Sequence, residues 1–401
     1  MVPSEPPEES LFSRILVVGA LVALLVILGI CVYVIYGYVS AGSGDSGVVT
    51  PTPVPTATPA PSRMATPVPT PTSTATPTDP FGQFPSVTPT PTPVYQNDVQ
   101  VTQGLKVVAR GVGIWEQYIV YDEWMELGPN AYKVHLYNIN TRKDDVIAQG
   151  NVRSYGCIGS GKVGLLYGDS NKIMLYDIAG GQQQQVSPVN NIPRAYPSIY
   201  SSQLVFTGNE GNSNPQTGML DIFGLYDYEF ATGNINLLVH NIPEPNEPRG
   251  DGQYIVWWDV TGGGNIVLLD TKSIKSKNVS PEGAVSNHPR ISGNTVVYHS
   301  VVGGIDHIFS YDIATGQTRQ ITSLGMQYSA DVSGSRIVYD NDVDGKCDIW
   351  MFDRSTMQER QLTDEPHDQM YPQIYGNNVV YLDNRNYAAN DNQWDLYVLS
   401  I

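Results

Sequence analysis

The residues of this 401-residue chain best suited to chemistry concentrate in one run, Asp340-x-Asp342-x-Asp344-Gly345-x-x-Asp348. Alternating carboxylates around a glycine bend are what a hard cation such as calcium requires, because oxygen ligands must converge on it. The glutamate that closes an EF-hand loop is missing from the run. The competing reading is an ordinary hairpin turn, which favours Asp and Gly for their backbone conformations. Asp383, Asn384, Asn390 and Asp391 form a second, sparser set.

Four of the six histidines, His288, His299, His307 and His367, would make a zinc site if three converged. No metal-ligand spacing among them marks one, and solvated turn histidines are the alternative. Trp124 falls in a connection and is the candidate contact residue, whereas Trp257 and Trp350 occupy strand positions and read as core. Gly44-Asp45-Ser46-Gly47 matches a protease signature in letters only, in a stretch without folded context. No nucleophile elbow or other strong catalytic motif occurs, so the expectation is that the chain is not an enzyme.

The elements that must position these residues repeat. The sequence from 288 to 322 runs HPRISGNTVVYHSVVGGIDHIFSYDIATGQTRQIT, and related copies occupy 329–363 and 371–401. Weaker copies place the same strand at 119–121, 165–167, 204–206 and 255–257. Taking its end as Tyr121, Tyr167, Phe206, Trp257, Tyr298, Tyr339 and Tyr381 gives spacings of 46, 39, 51, 41, 41 and 42. A period of about 40–45 residues with four short strands is the signature of a propeller blade. The reading is an all-β, seven-bladed β-propeller over residues 97–401, with six or eight blades as alternatives.

Closure is written into the ends. The last copy stops after its third strand, at Tyr397-Val398-Leu399-Ser400-Ile401. Asp98-Val99-Gln100-Val101-Thr102 supplies the pattern of the missing fourth. An N-terminal strand completing the C-terminal blade removes the open sheet edge.

These copies resemble the TolB-type, WD-repeat-like propellers. The resemblance rests on Asp306-His307-Ile308-Phe309, Asp348-Ile349-Trp350, Asp395-Leu396-Tyr397, Gln320-Ile321-Thr322 and Gln361-Leu362-Thr363, and it covers residues 98–401. It implies the fold and says little of function, since fold and chemistry are separable. Two departures count against a role in the Tol system. The family's Ser-Pro-Asp-Gly turn is replaced by turns such as Ser292-Gly293-Asn294, and TolB itself has six blades with a separate α/β domain.

Ahead of the propeller, residues 15–39 are 25 uncharged, mostly apolar residues, more than the roughly 20 that cross a bilayer. A cleavable signal peptide is the alternative, but its apolar core would be far longer than usual. Arg14 precedes the segment and no Lys or Arg follows until Arg63. The expectation is a single-pass anchor with a cytoplasmic N-terminus and an extracellular or periplasmic propeller. Residues 40–96 are rich in Pro and Thr, too polar to fold and biased toward polyproline II. They read as a stalk that spans on the order of 170 Å when extended.

The formal net charge is −17, which argues against a nucleic-acid partner because phosphate binding needs clustered Lys and Arg. Three cysteines, Cys31, Cys157 and Cys347, are too few for a disulfide framework. In a blade the a–b and c–d turns are tight, so function falls to the face carrying the b–c loops and d–a connections. The expected role is therefore binding or scaffolding of a protein, peptide or glycan on that face. The alternative is a glycan hydrolase or lyase working in the central pocket.

Overall fold

The computed structural model describes residues 98–401, apart from 127–129, 171, 187–195, 210–222, 243–244, 262–263, 323–324, 344 and 388–392. The apolar segment and the Pro/Thr stretch lie outside the described residues. Among the described residues no helix is long and apolar enough to cross a membrane.

Seven antiparallel sheets follow one another along the chain. Blade 5 shows the plan, with strand a at Val285–Ser292, b at Thr295–Val302, c at Ile305–Asp312 and d at Gln317–Gln320. Blade 7 takes its outer strand from the N-terminus: Val99 and Gln100 pair with Val398 and Tyr397. Tyr381 then donates to Asp98 at 2.7 Å, and Thr102 Oγ1 and the Gly104 N–H reach the buried Asp395 at 3.3 and 3.1 Å.

The VVY-type strand is apolar throughout because strand b is sandwiched between two neighbouring blades. In blade 6, Ile337 and Tyr339 face blade 5 and pack with Val297 and Ile308. Val338 between them points the other way, into a cluster with Val379 and Tyr381 of blade 7. Seven such clusters fill the seven blade interfaces, including blade 7 against blade 1 through Val380, Leu382, Ile119 and Tyr121. The tyrosine also carries a hydrogen bond outward across its sheet. Tyr121 donates to Asp144 at 2.8 Å, Tyr381 to Asp98, and Tyr339 to Glu359.

Blade 2 departs from the expected register. Counting from the turn at Ser160-Gly161, the residue equivalent to Tyr339 is Leu165, which is fully buried, not the half-buried Tyr167. The central Val of the motif is here Gly164, and an added Cβ would lie 2.4 Å from Cys157 Sγ, which fills that space. The Gly–Cys exchange hid the motif. The spacings 121 to 165 to 206 become 44 and 41, close to the rest of the repeat.

The N-terminal latch carries a test. A chain starting at Leu105 leaves strand c of blade 7 as an open edge and strips Asp395 of three hydrogen-bond donors, from Gln100, Thr102 and Gly104. Circular dichroism melting is expected to show a broad transition with loss of the single cooperative step, whereas an unchanged melt would mean that the latch contributes nothing.

Candidate functional site

Strand a of each blade lines the axis, and its first residues sit on the face of the b–c loops and d–a connections. In four blades that start repeats as residue–Pro–residue: Tyr196-Pro197-Ser198, Glu247-Pro248-Arg249, His288-Pro289-Arg290 and Tyr371-Pro372-Gln373. The ladder slips at three of these places, between Asn246 and Arg249, Asn287 and Arg290, and Met370 and Gln373. Proline suits such a bulge because it has no N–H to lose from the ladder.

The residue before each proline is left-handed: φ is 71° at Tyr196, 47° at Glu247, 51° at His288 and 57° at Tyr371. Tyr155, at the same register in blade 2, has φ 51°. Five bulky non-glycine residues in this region, one per blade, are an uncommon arrangement. Bulges of this kind re-aim side chains, here into the channel mouth.

Buried carboxylates hold the bulges in place. Asp122, directly after Tyr121, accepts from the backbone N–H groups of Ser154 and Tyr155 at 2.9 and 3.2 Å. Asp340, directly after Tyr339, accepts from Tyr328 and Ser329 at 2.9 and 2.8 Å and from Tyr371 at 3.0 Å. Desolvation pushes the carboxyl of fully buried Asp340 up to about 6 despite these donors.

The mouth opens into a cavity of about 230 Å³ lined from all seven blades. Its rim carries Arg110, Tyr155, Tyr196, His288, Tyr328 and Tyr371, with Arg249, Arg290 and Asp331 deeper. Glu247 is the hub. Its side chain is 3% exposed and meets Arg110 Nη1 at 3.2 Å, Arg290 Nη1 at 3.7 Å and His288 Nδ1 at 3.0 Å. Its burial opposes ionisation, but His288 and the nearby arginines outweigh that and hold its carboxyl down at about 2. Tyr155 and Tyr196 meet edge to face at 4.8 Å.

Arg249 stands apart. It donates to the Pro248 carbonyl at 3.1 Å, and among the described residues no carboxylate lies within 4 Å of its guanidinium. Burial, and next the like charge of Arg290, push its pKa down to about 10. A guanidinium normally keeps its charge under any physiological condition, so this is a cation short of a partner.

The residues picked from the sequence are scattered differently. His288 alone of the four histidines lines the cavity. His299 pairs with Asp306 at 3.0 Å, and burial pushes it and His307 below the ordinary imidazole value. The carbonyl of His367 accepts from the Gln369 side chain. Trp124 is 37% exposed, with the Lys106 ammonium 5.1 Å from its ring centre.

The acidic run does not come together as a ligand set among the described residues. Asn341 pairs with Asp348 across the sheet, so Asp348 shares the face of Asn341, opposite to Asp340 and Asp342. Asp340 is spent on backbone donors, Asp342 accepts from the Gly345 N–H at 2.7 Å, and Asp348 meets Lys346 at 3.2 Å. Asp344, Asn390 and Asp391 lie outside the described residues. Asp383 is ion-paired to Arg385, and Asn384 accepts from the Asp368 N–H. No group of three metal-binding side chains is found among the described residues. Of the cavity residues only His288 was singled out from the sequence; Arg110, Glu247, Arg249 and Arg290 were missed because they lie on three separate blades, and the recurring residue–Pro–residue start of strand a was the available signal.

No protein-family model matches the chain, and no curated protein sequence matches it. Solved structures do match. An oligogalacturonate lyase in complex with manganese is 14% identical over 76% of this chain and 93% of its own, with a TM-score of 0.59. An oligogalacturonate lyase from Vibrio parahaemolyticus is 11% identical, covering 77% and 95%, with a TM-score of 0.56. An acylaminoacyl peptidase from Pyrococcus horikoshii is 12% identical over 74% of this chain, which spans 51% of that enzyme, with a TM-score of 0.57. A TolB structure also matches, at a TM-score of 0.40 that carries no argument. At such identities the likeness shows the fold alone. It nonetheless corrects the expectation that the chain is not an enzyme, because this propeller occurs in a lyase and in peptidases. The missing nucleophile elbow spoke to one linear motif, whereas a channel site is assembled from residues about forty positions apart. The chain is a seven-bladed β-propeller whose central channel presents one bulged, side-chain-bearing position from each of several blades.

Proposed function

We propose that the central cavity binds the carboxylate of an acidic oligosaccharide. The observation that carries this reading is Arg249, a buried guanidinium without a carboxylate partner among the described residues, beside Arg290 in a chain of net charge −17. Three arginines against Glu247 and Asp331 leave the cavity positive inside an acidic molecule. A guanidinium fork matches a carboxylate in two parallel hydrogen bonds, and the pair strengthens out of water. Tyr155, Tyr196, Tyr328 and Tyr371 add ring faces at the mouth, suited to packing against sugar rings. The oligogalacturonate named for two of the matched structures is a polymer of this chemical class.

The path of the chain supports display of the site. Val99 and Gln100 pair with Val398 and Tyr397, so the chain enters blade 7 at the edge of the tight c–d turns. The cavity mouth lies at the opposite edge.

Calorimetric titration with trigalacturonate, and with neutral maltotriose as control, tests the reading. Binding is expected only for the acid sugar, weakening with salt, and Arg290→Met and Arg249→Met are each expected to cost at least about tenfold, from the lost charged hydrogen bonds. Equal affinity for the neutral trisaccharide, or wild-type affinity in both variants, would refute it. Competition by inorganic phosphate at equal concentration would reassign the site to phosphorylated ligands.

A further inference from the structure

Hydrogen-bonding capacity fixes the protonation of His288. Arg110 Nη2 lies 3.1 Å from His288 Nε2, and a guanidinium has donors only. Nε2 therefore accepts, and the ring proton sits on Nδ1. There both oxygens of Glu247 wait at 3.1 and 3.0 Å. This geometry is that of the Nδ1–H tautomer, oriented by a buried carboxylate, with the ring lone pair on the nitrogen that meets Arg110. A carboxylate behind an imidazole orients the ring and stabilises the imidazolium that forms when the far nitrogen takes a proton.

The cavity puts this base beside groups that would hold a substrate carboxylate. Arg290 reaches the same Glu247 at 3.7 Å, and Arg249 lies next to Arg290 along the cavity wall. Arg110 belongs to the short 3-10 turn Ala109–Gly111, and its side chain is 51% exposed. A ligand carboxylate competes for its donors and would draw it off Nε2.

We propose that His288 is a general base that removes the proton from the carbon α to the carboxylate of the bound acid sugar. Glu247 is its positioning residue, and Arg249 and Arg290 hold the charge that develops. This rests on the acidic-ligand reading above. The C–H bond breaks, its proton passes to Nε2, and the electron pair enters the carboxylate to give an enediolate. Guanidinium donors aimed at that dianion stabilise it more than the starting carboxylate. The pair then either retakes a proton at the same carbon or expels an alkoxide from the adjacent carbon to form a C=C bond. The alkoxide takes a proton from water, and the hydroxide left behind takes the proton from His288 Nε2, so protons and electrons balance and the base is regenerated.

The experiment uses the full chain with trigalacturonate in D₂O. Proton NMR follows loss of the signals α to the carboxylates, and ultraviolet absorbance follows a conjugated C=C bond. Exchange or elimination is expected with wild type. His288→Gln is expected to slow it by about 100-fold or more while calorimetric binding persists, the range usual for a general base. Glu247→Gln keeps an acceptor for Nδ1–H but loses the charge, so turnover should fall with affinity little changed. Binding without exchange or elimination, or exchange at the wild-type rate in His288→Gln, overturns this proposal and leaves the binding reading standing. Failure of trigalacturonate to bind at all removes both. Should His288→Gln fail to fold in a thermal melt, the turnover-against-affinity split of Glu247→Gln decides, and parallel losses of both count against the proposal.

Discussion

Asp340→Ala is expected to destabilise the propeller by on the order of 4 kcal/mol. The carboxylate accepts three backbone N–H groups, from Tyr328, Ser329 and Tyr371, and so ties the start of blade 6 to the start of blade 7. Alanine leaves three backbone donors in the part-buried rim without their acceptor, each costing on the order of 1 kcal/mol or more. Urea unfolding followed by tryptophan fluorescence measures the change, and a loss under about 1 kcal/mol would mean water replaces the carboxylate. The same variant should loosen the rim that Tyr328 and Tyr371 form and weaken ligand binding without touching any arginine.

The pH dependence of that residue has a definite sign. The folded pKa of Asp340, about 6, lies above the ordinary 3.8, so the folded state binds the proton more tightly. Its ionisation therefore costs stability as pH rises through 6, and stability returns as pH falls toward 4. Relief of repulsion in a chain of charge −17 acts in the same direction. The melting temperature of the wild type is expected to rise between pH 7 and pH 5, and to rise less in Asp340→Ala. A flat or falling profile in both would refute the assignment.

Glu247→Ala is the second large effect, with an expected cost of about 3–5 kcal/mol. It removes the one carboxylate shared by Arg110, Arg290 and His288, and leaves like charges facing each other beside Arg249. Glu247→Gln keeps the shape and part of the hydrogen bonding and should cost less. Here the linkage runs the opposite way. The folded pKa of about 2 lies below the ordinary 4.5, so this stabilisation is present above 4.5 and is lost as pH falls toward 2. Together the two carboxylates place the stability maximum in the mildly acid range. Acid unfolding below pH 4 should lose its steepness in Glu247→Ala, and an unchanged acid limb would show that other groups control it.

The two carboxylates also show why motif reading and structure part ways. Asp340 belongs to the run that looked like a calcium loop, yet its oxygens serve the backbone of the channel rim. The pleat sends Asp348 to the other face from Asp340 and Asp342, a fact that spacing along one chain cannot report. The third-strand motif around Asp348 and Asp395 marked the blades correctly, because both residues recur at one register of strand c. Calcium titration of the melting temperature remains the direct test of the Asp344 loop.

By itself the amino-acid sequence determined the repeat, the number of blades and the strand that closes the ring. Those properties are local and periodic: strand b is buried on both faces in every blade, so its VVY pattern recurs, and an unpaired last copy needs a first strand. It misplaced blade 2 only where Gly164 and Cys157 exchange volume, since packing between strands leaves no periodic trace. The channel site was decided by tertiary structure alone. Arg110, Glu247, His288 and Arg290 come from three different blades, and the residue–Pro–residue pattern that recurs at Glu247 and His288 does not report that their side chains meet. Only closure of the ring, which turns every strand a toward one axis, brings a carboxylate, an imidazole and the guanidiniums within ion-pairing distance.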